Sequence, residues 1–128
     1  MVAASRKDRV RLVTLVYRKK DTSFEDFSNY WANEHAKLFK ELPIAKQNLL
    51  SYEQSHANPE SVQQLTHVGF PCSDADGMAI FEAESSEKLW AVFQDEEYHK
   101  VAVPDEEKFM DRERSLAFPA EIVSVFSQ

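Results

Sequence analysis

Apolar positions recur along the chain with two periods, one of two residues and one near 3.6. Residues 10–17 read Val-Arg-Leu-Val-Thr-Leu-Val-Tyr, an apolar run rich in β-branched side chains that predicts a strand. Its two faces are Val10, Leu12, Thr14, Val16 and Arg11, Val13, Leu15, Tyr17. Both are mostly apolar, whereas a strand wetted on one side alternates apolar and polar. After a turn at Lys19-Lys20-Asp21, Thr22 and Glu25 form a capping box that opens a helix running to about Lys40. Phe24, Phe27, Trp31, His35, Leu38 and Phe39 lie along one broad face of it. Pro43 interrupts, and residues 44–48 add a short helical turn.

Residues 49–56 predict a second strand. Residues 57–66 are polar and contain Pro59, which reads as a loop with room for one helical turn, and 67–70 read as extended. Asp74-Ala75-Asp76-Gly77 is a turn signal before a third strand over 78–83. Ser85 or Ser86 caps a second helix with Leu89, Trp90, Phe93 and Tyr98 inward, broken near Asp95-Glu96-Glu97. A short helix within 102–111 and a last strand over 121–126 complete the pattern.

The order β-α-β-β-α-β predicts a ferredoxin-like α+β fold, with helices on one face of a four-stranded antiparallel sheet. No repeat, linker or shift in composition divides the chain, so residues 1–128 read as a single domain, with 1–8 as a flexible tail. The second sheet face is too apolar to be left in water. The simplest cover is a second copy related by a two-fold axis, a homodimer.

Charge and composition narrow the function. Fifteen basic against 22 acidic residues give a formal charge of −7, which argues against nucleic acid as a partner. No stretch has the roughly 20 apolar residues that span a bilayer, and the N-terminus lacks a secretory apolar region, so a soluble cytoplasmic protein is expected, without a membrane partner. The two glycines cannot build a phosphate-binding loop, and no metal-ligand pair such as His-x-His or Cys-x-x-Cys occurs, so neither a nucleotide nor a metal is expected. Cys72 carries no nucleophile signature. A 128-residue domain has little interior volume for both a packed core and a large cavity, so an enzyme of this size must account for its pocket.

On pattern alone, His35 follows Trp31 by four residues and Phe27 by eight on one helix face. It is either a packing histidine or an imidazole with its proton affinity perturbed among aromatic rings. The segments around it are specific. Val16-Tyr17-Arg18-Lys19-Lys20 leads into Phe24, Phe27, Tyr30-Trp31 and Glu34-His35-Ala36, followed later by Asp76-Gly77 and by Val103-Pro104-Asp105-Glu106-Glu107-Lys108-Phe109-Met110-Asp111. Over about residues 9–126 this resembles the EthD-domain family. The resemblance implies a dimeric α+β barrel. It also implies kinship with small fungal enzymes of aromatic polyketide pathways, which decarboxylate, dehydrate or cyclise polyketide acids without metal or organic cofactor, as in atrochrysone carboxylic acid processing. Phe70-Pro71-Cys72-Ser73 departs from the family pattern.

The expected function is therefore that of a cofactor-free lyase, decarboxylating an aromatic β-keto acid by histidine acid/base chemistry. Dehydration or cyclisation, oxidation of an anthrone by a cofactor-free monooxygenase, and simple binding of an aromatic polyketide are the alternatives. His35, Tyr17 and His67 are the candidate catalytic residues, Tyr17 as a phenol donating to a developing oxyanion. Phe27, Tyr30, Trp31, His56, Phe81 and Asp105 are the candidate substrate contacts, with aromatic faces suited to a flat ring system. Asp105 and Asp111 fall in the acidic segment, where orienting a histidine competes with helix capping.

Overall fold

A computed structural model describes residues 3–128. Its centre is a four-stranded antiparallel sheet built from β2 (Val10–Val16), β3 (Leu49–His56), β4 (Gly77–Ala83) and β5 (Ala117–Ala120), in the spatial order β3-β4-β2-β5. This is the ferredoxin-like arrangement. Register follows the apolar pattern: Leu12 pairs with Phe81 and Val16 with Gly77, while Tyr52 pairs with Phe81 from the other side. Because side chains alternate across a strand, Leu12, Thr14, Val16, Ala79, Phe81 and Tyr52 share one face, and Val13, Leu15, Met78, Ile80 and Phe118 share the other.

Helices cover the first face. The first runs as α1 (Phe24–Tyr30), a π-helical turn (Trp31–His35) and α2 (Ala36–Lys40) without a break. In the wide turn Ala36 N–H donates to Trp31 O, one residue further back than in an α-helix. α3 (Pro43–Asn48) follows. On the far side α5 (Ser86–Gln94) ends where Asp95 turns extended, and a second π-helical turn (Tyr98–Ala102) leads into α6 (Val103–Glu106). Pro104 has no N–H and its ring clashes with the carbonyl four residues back in a regular helix. The widened turn immediately before it provides the local room.

Aromatic rings fill the space between the layers. Phe27 is fully buried against Trp31, at 5.4 Å between ring centres, and against Phe109, at 5.9 Å. Phe39 sits over Tyr52 and Phe81, whose rings stack at 4.9 Å. Gly77 is required here: a Cβ on it would fall 2.5 Å from Trp31 Cζ3 and 2.7 Å from Ser55 O. The indole passes directly over the start of β4.

Four expectations change. The N-cap is Ser23, whose hydroxyl accepts from Asp26 N–H, rather than Thr22 paired with Glu25. Residues 59–67 form a helix, α4 (Pro59–His67), because Asn58 caps it and proline at the first helical position is compatible with a helix start. The fourth sheet strand is β5 (Ala117–Ala120); Pro119 is tolerated because β5 is an edge strand. Of the segment expected as that strand, only β6 (Val123–Ser124) is extended and paired, and it lies outside the main sheet, against β1 (Ala4–Ser5). Within the expected free tail over residues 1–8, Ala4–Ser5 are held by that pairing and Arg6 N–H donates to Ile122 O; residues 1–2 lie outside the described residues. Among the described residues no helix is long and apolar enough to cross a membrane.

Candidate active site

Between the sheet and the helices lies a cavity of about 320 Å³. Its walls are Leu12, Val16, Trp31, Phe39, Phe81 and Phe93. Ala117 and Pro119 also line it yet stay exposed, so it opens along the β5 edge. The polar groups reaching it include His35, Tyr52, Tyr98, Glu106 and Arg112.

His35 comes from the first π turn and is only 4% exposed. Its Nδ1 lies 2.8 Å from Asp105 Oδ2. The other Asp105 oxygen accepts from Tyr30 Oη at 2.5 Å and pairs with Lys108 Nζ at 3.4 Å. Burial alone raises the Asp105 carboxyl, but the hydrogen bonds from Tyr30 and His35 outweigh it and hold the group below the ordinary aspartate range. An ionised carboxylate only accepts, so Nδ1 carries the proton and Nε2 presents a lone pair. No hydrogen bond among the described residues occupies Nε2, and no buried side-chain nitrogen or oxygen among them lacks a partner. Nε2 is thus open to whatever fills the cavity. Tyr30 stands behind this pair, its phenol pushed up to about 12 by burial and by the Asp105 carboxylate, so it remains a donor at neutral pH.

The second π turn and α6 bring further polar groups to the cavity. Tyr98 Oη donates to Glu106 Oε2 at 2.9 Å, and Arg112 Nε donates to Glu106 Oε1 at 3.0 Å. Burial raises the Glu106 carboxyl above the ordinary glutamate range despite those two donors and the nearby His35. Neighbouring carboxyls on one short helix are therefore driven in opposite directions, Asp105 towards the anion and Glu106 towards the acid.

The structure brings His35, Asp105 and Tyr30 into one network, with Trp31 and Phe81 in the cavity wall. It separates the others. Tyr17 belongs to the opposite sheet face from Val16; its phenol donates to Asp74 Oδ1 and Arg114 stacks over its ring at 4.1 Å. His67 ends α4 and is exposed. His56 is half-buried and held between Ser28 Oγ, at 2.6 Å, and Gln54 Oε1, at 2.8 Å, and its ring packs at a tilt against Trp31, 4.5 Å between centres. Phe27 is core, one layer behind the cavity. Asp111 meets Tyr17 through its backbone, its N–H donating to Tyr17 O at 2.8 Å, away from His35.

Sequence reasoning missed Tyr98 as a cavity group, Glu106 and Arg112. The available signal was the Asp105-Glu106 doublet itself, set between the apolar residues Val101-Ala102-Val103 and Phe109.

Comparison with known proteins follows the same segments. The EthD domain model matches residues 19–113. The dehydratase ustZ of Ustilaginoidea virens is 33% identical over 116 residues, spanning 88% of this chain and 82% of the relative. The decarboxylase claH of Passalora fulva is 32% identical over 108 residues, spanning 81% of this chain and 70% of the relative. Among solved structures, a dimeric protein of unknown function and ferredoxin-like fold from Bacteroides fragilis superposes with a TM-score of 0.63 at 11% identity. That superposition covers 93% of this chain and 100% of the other, a likeness of fold.

Proposed function

The chain belongs to the EthD-domain family, and from that premise we propose that it is a cofactor-free cytoplasmic lyase acting on an aromatic polyketide acid, with His35 as the group that moves a proton at carbon. The observation that carries this reading is the open Nε2 of His35, backed by an ionised Asp105, at the wall of a flat-sided aromatic cavity.

The chemistry asks for little more. In a β-keto acid such as an atrochrysone-carboxylic-acid-like substrate, the bond to the carboxylate breaks, carbon dioxide leaves, and the electron pair passes into the ketone to give an enolate. A proton then returns to carbon. Protonated His35 delivers it, and Asp105 stabilises the imidazolium that stands ready to do so. Trp31 and Phe81 hold the ring plane. Elimination of water is the second reading, favoured by the 33% identity to a dehydratase. There neutral His35 removes a proton next to the ketone, and the β-hydroxyl departs. Both readings use enolisation beside His35.

A second copy covers the outer sheet face, where Phe118 is 66% exposed, in keeping with the dimeric neighbour of the same fold.

The test is incubation of the purified protein with a bicyclic aromatic β-keto acid and a β-hydroxy ketone analogue, read by mass spectrometry for loss of carbon dioxide or of water. His35→Ala is expected to lower kcat by about 100-fold or more. A folded His35→Ala protein with full turnover overturns the reading.

A further inference from the structure

Glu106 is a buried, titratable cavity group with no task in the steps above. It is 8% exposed, it lines the same cavity as His35, and it comes from a different helix. Its two oxygens are gripped by Tyr98 Oη at 2.9 Å and Arg112 Nε at 3.0 Å. Each carboxyl oxygen has a second lone pair, so one proton fits on the carboxyl while both donors stay in place. We propose that Glu106 is a second catalytic group, the acid that hands its proton to the substrate oxygen that gains negative charge. This deepens the lyase reading and rests on it.

The balance closes for both reactions. In dehydration, His35 Nε2 takes the proton from carbon, its electrons form the new C=C bond, and the C–O bond breaks. The hydroxyl leaves with the proton of Glu106 as water. In decarboxylation the ketone oxygen receives that proton as the enol forms. In either case Glu106 is left as a carboxylate, and the donors already aimed at it stabilise that anion. His35 serves carbon and Glu106 serves oxygen. Two carboxyls pushed in opposite directions by their surroundings are the arrangement by which one site runs acid and base chemistry together.

The groups facing Glu106 are His35 from the first helix, Tyr98 from the second π turn, Arg112 beyond α6 and Tyr52 from β3. His35 and Arg112 favour the ionised form, and burial outweighs them. Raised in the folded protein, Glu106 keeps its proton at low pH and loses it as pH rises, so the rate falls on the alkaline side as the acid is spent.

The experiment measures kcat, KM and pH profile for wild type, Glu106→Gln, Glu106→Asp and His35→Ala on the β-hydroxy ketone. Glu106→Gln is expected to lower kcat by about 100-fold with KM changed less than about threefold. It is also expected to erase the alkaline limb, with Glu106→Asp recovering part of the rate. Infrared difference spectra with the inert ketone 8-hydroxy-1-tetralone give a readout independent of turnover: a protonated carboxyl band that shifts on binding, absent in Glu106→Gln and kept in His35→Ala. A Glu106→Gln enzyme of wild-type rate and profile, beside a dead His35→Ala, overturns the acid alone. Full activity in both overturns the lyase reading as well. No protonated carboxyl band, or one unmoved by the ketone, overturns the acid whether or not the substrate turns over.

Discussion

On its helix side the sheet presents Leu12, Val16, Ala79 and Phe81, all nearly or fully buried beneath aromatic rings. On its other side Val13, Leu15 and Ile80 are half covered, and Met78 and Phe118 are exposed. Both faces carry apolar residues, so composition does not distinguish them. What differs is the layer each meets. The chain closes the first face with its own helices and leaves a cavity there, lined by Trp31 and His35 of one π turn and Tyr98 of the other. Among the described residues it covers the second only in part. The contrast shows that buried titratable groups gather where the chain covers itself, while the other face leaves Met78 and Phe118 exposed beside the Arg11–Glu82 pair.

The largest expected effect on this contrast comes from Phe27, fully buried behind the cavity. Phe27→Ala is expected to cost about 4 kcal/mol in urea unfolding. It would also loosen Trp31 and so spoil both stability and binding. Next comes Gly77→Ala, which sets a methyl group against Trp31 and the Ser55 carbonyl; a loss of about 2 kcal/mol is expected, with weaker binding of an aromatic probe followed by tryptophan fluorescence.

The carboxyls answer to pH with opposite signs. Asp105 is depressed in the folded protein, so its stabilisation is present above the ordinary aspartate range and is lost as pH falls through its folded value. Asp105→Asn should flatten the acid side of a stability–pH curve. Glu106 is raised, so its contribution is present at low pH and lost as pH rises through its folded value. Glu106→Gln should flatten the other side. Thermal melts across pH check both, and equal flattening on one side only would break the assignment.

The smallest change in fold stability belongs to the outer face. Phe118→Lys is expected to alter urea unfolding of dilute protein by less than about 0.5 kcal/mol. It should, however, abolish self-association in sedimentation equilibrium. A Phe118→Lys protein that still associates like wild type would show that this face is not the contact.

The strand over 10–16 was legible because its β-branched and apolar run leaves no competing pattern. His35 was legible because its spacing to Trp31 and Phe27 survives the π turn well enough to keep one face. Tyr17 was readable too, and misread: the alternation that puts Val16 into the cavity puts Tyr17 on the opposite side. α4 was hidden by treating Pro59 as a breaker when it stands at a helix start. β5 was hidden by Pro119. Glu106 lies in a four-residue helix, too short for any periodicity, and its burial depends on Tyr98 and Arg112 folding over it. No window of sequence contains that information.

The π turn at Trp31–His35 has a further consequence. A π turn is a helix carrying one residue more than its hydrogen bonds span, and each α-helical residue advances the side-chain direction by about 100°. Removing a single residue such as Ala32 would let the segment relax to regular α-helix without touching any residue of the site. The wide turn spreads its extra residue over about one turn, so the segments on either side of the deletion would keep nearly the same direction relative to each other. Phe39 would stay over the sheet, whereas His35, inside the turn itself, would stand three residues from Trp31 in place of four and shift locally against Asp105. The alignment of the imidazole is thus held in a count of residues rather than in any one side chain. A change of length at this turn would move the imidazole against Asp105 even where every aromatic ring and carboxylate is kept.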